Sequence, residues 1–341
     1  MDWAPRRRSG HAAALGMIAA GVSAAVCTRN RPRQLARALE SLRLQSQVAE
    51  ILVIDNAPAD DATVSLVATR FPEVRYLREP IPGLDFARNR ALHAATQPVV
   101  AFLDDDAVAA PGWAAALSRV FEADPRVALC TGRVEPLVVE TPGQLLFEVN
   151  GGFGRGDRPI RLPDDASHPL HGWPAPLIAW AISVGSGCSY AVRRTVALEL
   201  GGFDEALDLG PPLAGGGDHD LLWRTLEANW RVVYQPEALA WHEHRRELAE
   251  VHRQIIGHQR AVLAFLGKHL ARTSLSRCLP LLAYIGWRLL KPGVRLVRRG
   301  LGRDPLPSSV LLRMWWNCWL GITAYPLARL IARSRRERYA V

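Results

Sequence analysis

Three consecutive carboxylates, Asp104-Asp105-Asp106, follow directly on the apolar run Val99-Val-Ala-Phe-Leu103. Adjacent carboxylates repel one another, and each becomes costly to ionise unless a cation offsets the charge. Hard divalent ions such as Mg2+ and Mn2+ take carboxylate oxygens and share their shell with phosphates. The triplet therefore suits a metal ion that holds a phosphorylated substrate; a solvated turn or a helix cap is the plainer use of the same residues. A second acidic element, Gly215-Gly-Gly-Asp-His-Asp220, stands just ahead of Leu221, Leu222 and Leu226. Asp218 and Asp220 could each act as a general base or cap the positive end of a helix. The third element is Trp241-His-Glu-His-Arg-Arg246. His242 and His244 share a side if this segment is extended, but no third nitrogen or sulfur ligand stands at a spacing suited to zinc.

The surrounding pattern supplies elements to position these groups. Val22 to Cys27, Glu50 to Asp55, Val74 to Leu77 and Val99 to Leu103 read as short strands. Between them Arg33–Leu44, Thr63–Arg70 and Phe86–Ala95 read as helices. This alternation predicts an α/β fold with a mostly parallel sheet and helices on both faces. Such sheets bind ligands at the carboxyl ends of their strands, where Thr28, Asp55 and Asp104 fall. Residues 136–180, rich in Gly, Pro and Asp, read as an irregular excursion. Order is expected to resume from Trp180 to Arg193, with helices over Leu221–Ala228 and Leu248–Leu270.

The chain has 341 residues and 49% hydrophobic content, enough for a sizeable core. Its net charge of +9 is uneven: 19 basic and 4 acidic residues fall from Arg245 onward, leaving the rest of the chain at −6. The basic tail holds two apolar stretches, Leu279–Leu290 and Met314–Ala328, the second with Trp315, Trp316 and Trp319. Spanning a bilayer takes about 20 apolar residues, so neither is expected to cross. Aromatics flanked by arginines suit a helix lying on an anionic membrane surface, with packing on the protein's own core as the alternative. Such a tail argues against a nucleic-acid partner. Five cysteines without metal-ligand spacing fit a reducing compartment. Arg6–Arg8 and the apolar run from His11 resemble a secretory signal, but that run flows into the expected first strand, so residues 1–21 are read as an N-terminal extension.

Taken in order, six segments carry a specific resemblance. These are Ala24-Ala-Val-Cys-Thr-Arg-Asn-Arg31, Leu52-Val-Ile-Asp-Asn56, Gly83-Leu-Asp-Phe-Ala-Arg-Asn-Arg90, Phe102-Leu-Asp-Asp-Asp106, Gly201-Gly-Phe-Asp-Glu205 and Gly215-Gly-Gly-Asp-His-Asp-Leu221. Together the chain resembles a family 2 glycosyltransferase with the GT-A fold. The resemblance covers residues 22–244 and leaves the tail uncovered. It implies a donor half over 22–135, an acceptor half over 136–246 and a helical tail over 247–341. It further implies that Thr28, Arg29 and Asp55 line the nucleotide base pocket and that Arg88 lies near the base or diphosphate. Asp104 and Asp105 would face the ribose, and Asp106 would hold Mg2+ or Mn2+, with His244 or His242 adding to the site; His244 is the one carried forward. Family members often have Glu-Asp where this chain has Gly217-Asp218. The aspartate is kept, so Asp218 is the expected catalytic base and Asp220 its rival.

The implied reaction is inverting transfer of a sugar from a nucleotide-sugar donor, with UDP the default, to a glycan or lipid-linked acceptor. The implied location is the cytoplasmic face of the cell membrane. Two other readings use the same residues. A nucleotidyltransferase would share the sheet and acidic metal site, but Thr28-Arg-Asn-Arg-Pro32 lacks the glycines of a phosphate loop. A non-catalytic sugar-binding module would not need both the acidic triplet and Asp218.

Overall fold

The computed structural model describes residues 21–167, 175–271 and 275–339; the N-terminal extension, Gly21 apart, lies outside them. The chain opens as alternating strands and helices: β1 (Val22–Thr28), α1 (Pro32–Leu42), β2 (Val48–Asn56), α2 (Ala62–Arg70), β3 (Arg75–Glu79), α3 (Leu84–Ala94) and β4 (Val99–Leu103). There follow β5 (Ala107–Ala109), α4 (Trp113–Ala123), β6 (Val127–Pro136), α5 (Pro142–Val149), β7 (Ile160–Leu162) and α6 (Leu177–Val184). The body ends with β8 (Ser189–Arg193), α7 (Arg194–Glu199), α8 (Gly217–Glu227) and β9 (Arg231–His242). Three long helices close the chain: α9 (Leu248–Leu270), α10 (Leu275–Gly300) and α11 (Ser308–Tyr339).

The described strands form one sheet in the order β3-β2-β1-β4-β8-β6-β9-β5, with β7 also on β9. Pairing is parallel from β3 through β4, as the strand–helix alternation predicts. Val22, Ala24, Ala25 and Val26 of β1 are buried, as expected for a strand covered on both faces. One face packs under α1 and α4 around Leu35, Leu39, Trp113 and Leu117; the other packs under α3, α6 and α8 around Leu92, Trp180, Leu221 and Leu222. The second half departs from the parallel pattern. β8 lies antiparallel between β4 and β6, while β6 and β9 pair in parallel. One sheet therefore runs through both the 22–135 and 136–246 segments.

The excursion expected over 136–180 contains more order than its composition predicts. α5 starts on a capping box in which the Thr141 hydroxyl accepts from the Gln144 N–H and the Gln144 side chain returns to the Thr141 N–H. α6 begins at Leu177, three residues before Trp180. α8 likewise starts at Gly217 rather than Leu221, because Gly215 (φ 147°) and Gly216 (φ 104°) turn the chain through left-handed backbone just ahead of it. Asp218 and Asp220 consequently sit inside its first turn.

Both apolar stretches of the tail belong to longer helices, and no described helix is long and apolar enough to cross a membrane. α11 lies against α9 through small residues. Ala324, Ala328 and Ala332 join Ala264, Phe86 and Leu209 in one cluster. At Gly321 a Cβ would fall 2.5 Å from the Arg260 carbonyl oxygen. Arg335 anchors the far end of α11 by donating to the carbonyls of Pro82 and Leu209. The tail is thus fastened to the body. Gly321→Leu should force α9 and α11 apart, lowering stability by about 1–3 kcal/mol. Denaturant unfolding followed by circular dichroism would measure this, and unchanged stability would contradict the close packing.

Candidate active site

The parallel strands β1, β2 and β4 end at one edge of the sheet, so the residues that follow them converge there. Thr28 and Asp55 are register partners across β1 and β2. Antiparallel β8 begins where β4 ends, with Ser189 opposite Leu103. The Gly185–Cys188 loop therefore reaches the acidic triplet, and the Asp104 N–H donates to the Cys188 carbonyl at 3.0 Å. β9 also ends here, with His242 opposite Ala107, and the Glu243 N–H donates to the Asp106 carbonyl at 2.8 Å.

The three carboxylates have different surroundings. Asp105 accepts from the Thr28 hydroxyl at 2.7 Å and from Arg31 at 3.1 Å. Arg31 also donates to Asp106 at 3.0 Å. Burial and the charge of Asp106 push Asp104 up to about 7. Burial opposes ionisation of Asp106 as well, but the His242 contact and the charge of Arg31 hold it below the usual carboxylate range. His242 Nε2 lies 3.3 Å from Asp106. Its Nδ1 faces His244 Nδ1 at 2.8 Å, and His244 Nε2 reaches Glu148 at 2.8 Å. The result is a buried chain from Asp106 through both imidazoles to α5.

Donor atoms of Asp104, Cys188 and His242 all lie within 4.8 Å of one another. Burial raises the Cys188 thiol well above its ordinary value, and a soft sulfur suits hard ions such as Mn2+ or Mg2+ poorly. Carboxylates with one imidazole remain, and this donor set fits a divalent ion such as Mn2+ or Mg2+. A cation here would also relieve the repulsion that lifts Asp104.

Across the cavity, Asp218 and Asp220 have opposite fates. Asp218 lines the cavity and pairs with His219 Nδ1 at 3.0 Å. Against burial, the charges of His219 and Arg88 hold its carboxyl far below the usual range, and Asp218 in turn raises His219. Asp220 is fully buried behind the helix, where Arg224 at 2.7 Å, His269 at 2.8 Å and Lys268 enclose it. Its contacts tie α8 to α9.

Arg88 organises the space between the two ends. Its guanidinium reaches Asp85 at 2.9 Å and Asp208 at 3.2 Å, and lies over the rings of Tyr190 and Phe203. Asp208 also accepts from the Gly217 N–H at 3.0 Å, at the start of α8. The absence of a side chain at position 217 has a steric reason: a Cβ there would fall 1.9 Å from Asp85 Oδ2. The Asp85 carboxyl fills that space, and burial and the charge of Asp208 raise it well above the usual carboxylate value.

A cavity of about 780 Å³ joins these groups. Thr28, Arg29, Arg88, Asp104, Asp105, Asp106, His242 and Asp218 all line it. Asp55 and His244 do not. Asp55 sits beneath it, with Oδ2 accepting from Tyr76 at 2.8 Å and Oδ1 buried without a partner. The expectation that favoured His244 at the metal meets a different geometry: the end of β9 turns His242 onto Asp106 and leaves His244 behind it. Arg31, Cys188 and His219 were not singled out in the sequence; Arg31 and His219 fall within motifs that were, whereas Cys188 adjoins none. Arg155, Arg245, His258 and Arg288 complete the wall. Arg245 belongs to the Trp241–Arg246 segment; no local signal marks Arg155, His258 or Arg288, which reach the cavity only by tertiary packing.

A mixed α/β sheet with an acidic metal-type site at its carboxyl edge, closed by a second carboxylate on a glycine-led helix, defines a GT-A protein. Residues 23–167 match the family model described as glycosyl transferase family 2. Pre-mycofactocin glycosyltransferase of Mycobacterium tuberculosis is 29% identical over 231 residues, covering 67% of this chain and 44% of its own. The chain thus spans less than half the length of that curated relative. Among solved structures, mannosyltransferase PcManGT from Pyrobaculum calidifontis in complex with GDP-Man and Mn2+ gives a TM-score of 0.56 at 18% identity, over 91% of this chain and 87% of that one. GalNAc-T7 with UDP, GalNAc and Mn2+ gives 0.50 at 17% identity, over 67% of this chain and 45% of that one. At these identities the two structures speak for the fold.

The two aspartates of α8 separate by experiment. Asp220→Asn leaves Lys268 and Arg224 short of a buried counter-charge, and should lower stability by about 3–5 kcal/mol. Urea unfolding of the variant would show this; wild-type stability would mean that the cage carries no net energy.

Proposed function

We propose that the protein is an inverting glycosyltransferase that moves a sugar from a nucleoside-diphosphate donor to an acceptor hydroxyl at the cytoplasmic face of a membrane. The observation that carries this reading is the meeting, across one cavity, of the Asp104–Asp106 cluster and Asp218. On this reading residues 22–135 hold the donor, residues 136–246 receive the acceptor, and residues 247–341 form the membrane-facing tail. UDP is the first donor nucleotide to test and GDP the second, since the two structural neighbours hold one each.

Thr28, Arg29 and Asp55 take the nucleotide base in this proposal. The unpartnered Oδ1 of Asp55 is an acceptor suited to a base N–H. Asp104 and Asp105 face the ribose, while Asp106 and His242 hold Mn2+ or Mg2+, with His244 orienting His242 from behind. A bound divalent ion would neutralise charge on the leaving diphosphate. Arg88 is braced by Asp85 and Asp208 and adds a fixed positive charge beside the sugar. Asp218 stays ionised throughout the physiological range and is free to take the acceptor proton. Its low proton affinity means that transfer runs late, once the attacking oxygen has become strongly acidic. Attack from the Asp218 side, opposite the diphosphate, inverts the anomeric centre.

Two substitutions separate binding from chemistry. Asp106→Asn should remove metal-dependent binding of the nucleoside diphosphate in calorimetry. Asp218→Asn should leave that binding intact and slow single-turnover transfer by about two to four orders of magnitude, the usual worth of a general base. Unchanged metal dependence in the first, or full turnover in the second, refutes the corresponding role.

The membrane contact is supported by the outer faces of α10 and α11. Leu279, Trp287, Leu290, Val294 and Val297 are exposed along α10, and Leu312, Trp316, Trp319, Leu327 and Leu330 along α11. Arg298, Arg299, Arg303 and Arg313 lie among or beside them. Exposed apolar stripes with interspersed arginines suit the interface of an anionic bilayer. The protein should float with vesicles containing phosphatidylglycerol, and less so as salt screens the charge. Replacing Trp316 and Trp319 by Gln should release it; flotation insensitive to both lipid charge and these tryptophans excludes the contact.

A further inference from the structure

Part of the cavity wall is cationic. Arg155, Arg245, His258 and Arg288 line it. Among the described residues none of the three arginines forms an ion pair. Arg155 donates to the neighbouring Gly154 carbonyl at 3.1 Å, and Arg288 to the side-chain oxygen of Gln259 at 3.1 Å. In both, Nε is buried and without a hydrogen-bond partner. Most other arginines of the body that line or brace the site are matched to carboxylates, Arg31 and Arg88 among them. Unmatched guanidinium groups in a partly closed space are costly unless an anion completes them.

Arg155 and His258 lie toward Asp218: Arg155 acts electrostatically on both Asp218 and His219, and His258 on the same pair, while Arg245 acts on His242 and His258. Arg288 comes from α10, the helix whose outer face exposes Leu279, Trp287 and Leu290. One helix thus carries a buried-side cation into the cavity and an apolar stripe along its outside.

Resting on the glycosyltransferase reading, we propose that the acceptor is a phosphate-bearing amphiphile, its phosphate held by Arg155, Arg288 and Arg245 and its apolar chain leaving along α10. The donor diphosphate already has its cation site at Asp106 and His242, so the unmatched arginines are left for a second anion. The oxygen that attacks is a hydroxyl of the same amphiphile: as it bonds the anomeric carbon its proton passes to Asp218, and the anomeric C–O bond to the donor breaks with the nucleoside diphosphate as leaving group.

The test uses the full chain saturated with nucleoside diphosphate and Mn2+, titrated by calorimetry with farnesyl phosphate, farnesol and inorganic phosphate. Farnesyl phosphate should bind while the nucleotide stays bound, at least about tenfold more tightly than farnesol or inorganic phosphate. Arg155→Gln and Arg288→Gln should each weaken it about tenfold or more, the worth of a charge-assisted hydrogen bond. Both should leave nucleotide affinity and thermal unfolding near wild type, and Arg288→Lys should recover part of the loss. Displacement of farnesyl phosphate by the nucleotide, or loss of nucleotide affinity in the arginine variants, would assign the wall to the donor and overturn the proposal. Inorganic phosphate binding as tightly as farnesyl phosphate would overturn the amphiphile, and equal binding of farnesol would overturn the phosphate. Absence of any Mn2+-dependent nucleotide binding would instead strike the glycosyltransferase reading on which this rests.

Discussion

Three carboxylates must be kept together at the end of β4 in spite of their mutual repulsion, and many of the site's other contacts answer that constraint. The sheet order brings a compensating group to each. β1 supplies Thr28 and then Arg31, which reaches Asp105 and Asp106 together. β9 supplies His242. Asp104 gets the least, and it is the one lifted to about 7 by burial and its neighbour. A single guanidinium and an imidazole against three acids leave room for more positive charge at this point, and that imbalance is the physical case for a divalent ion.

Charge is handled differently at the far end. Asp85, Asp208 and Asp218 surround one buried arginine, Arg88. With burial opposing every ionised carboxylate, the three do not share the arginine equally. Asp218 has His219 as well and stays strongly acidic, whereas Asp85 is raised well above its ordinary value. Gly217 fits this arrangement because Asp85 takes the volume that a side chain there would need. The departure from the Glu-Asp pattern expected at this position is therefore compensated in space by Asp85. Asp220, two residues on, faces the opposite way into Lys268, His269 and Arg224, which makes it a fastening between α8 and α9.

The parallel half of the fold was legible because its signals are local: short apolar runs, helical spacing between them, and polar residues at the strand ends. Thr28, Arg88, the acidic triplet and Asp218, which all line the cavity, were singled out on that basis together with the motif resemblance. The rest depends on contacts between distant segments. Composition made residues 136–180 look irregular and hid the Thr141–Gln144 box that starts α5. The antiparallel insertion of β8 leaves no periodic mark, yet it alone brings Cys188 to Asp104. Two histidines one residue apart could not be ranked from sequence, since the twist and end point of β9 decide which ring meets Asp106. Arg155 and Arg288 were invisible for the same reason: 133 positions separate them in the chain.

The tail shows how a helix can serve two environments. Most surface helices are apolar on one side only. α11 buries Met314, Cys318, Gly321, Ala324 and Ala328, a stripe of mostly small residues that lets α9 approach closely. Its outer side exposes Leu312, Trp316, Trp319, Leu327 and Leu330. Small residues within and large apolar residues without reverse the usual size order of a core-facing helix. That reversal erases the amphipathic signature, so that packing on the body and contact with a membrane looked like alternatives in the sequence. The geometry makes them compatible. Backbone proximity holds α11 to α9, and the large side chains are then left free on the outside. Because α9 and α10 also line the cavity, the surface suited to a bilayer and the wall proposed to receive the acceptor belong to one set of packed helices. An acceptor arriving from the membrane plane would meet the cationic wall without first entering water.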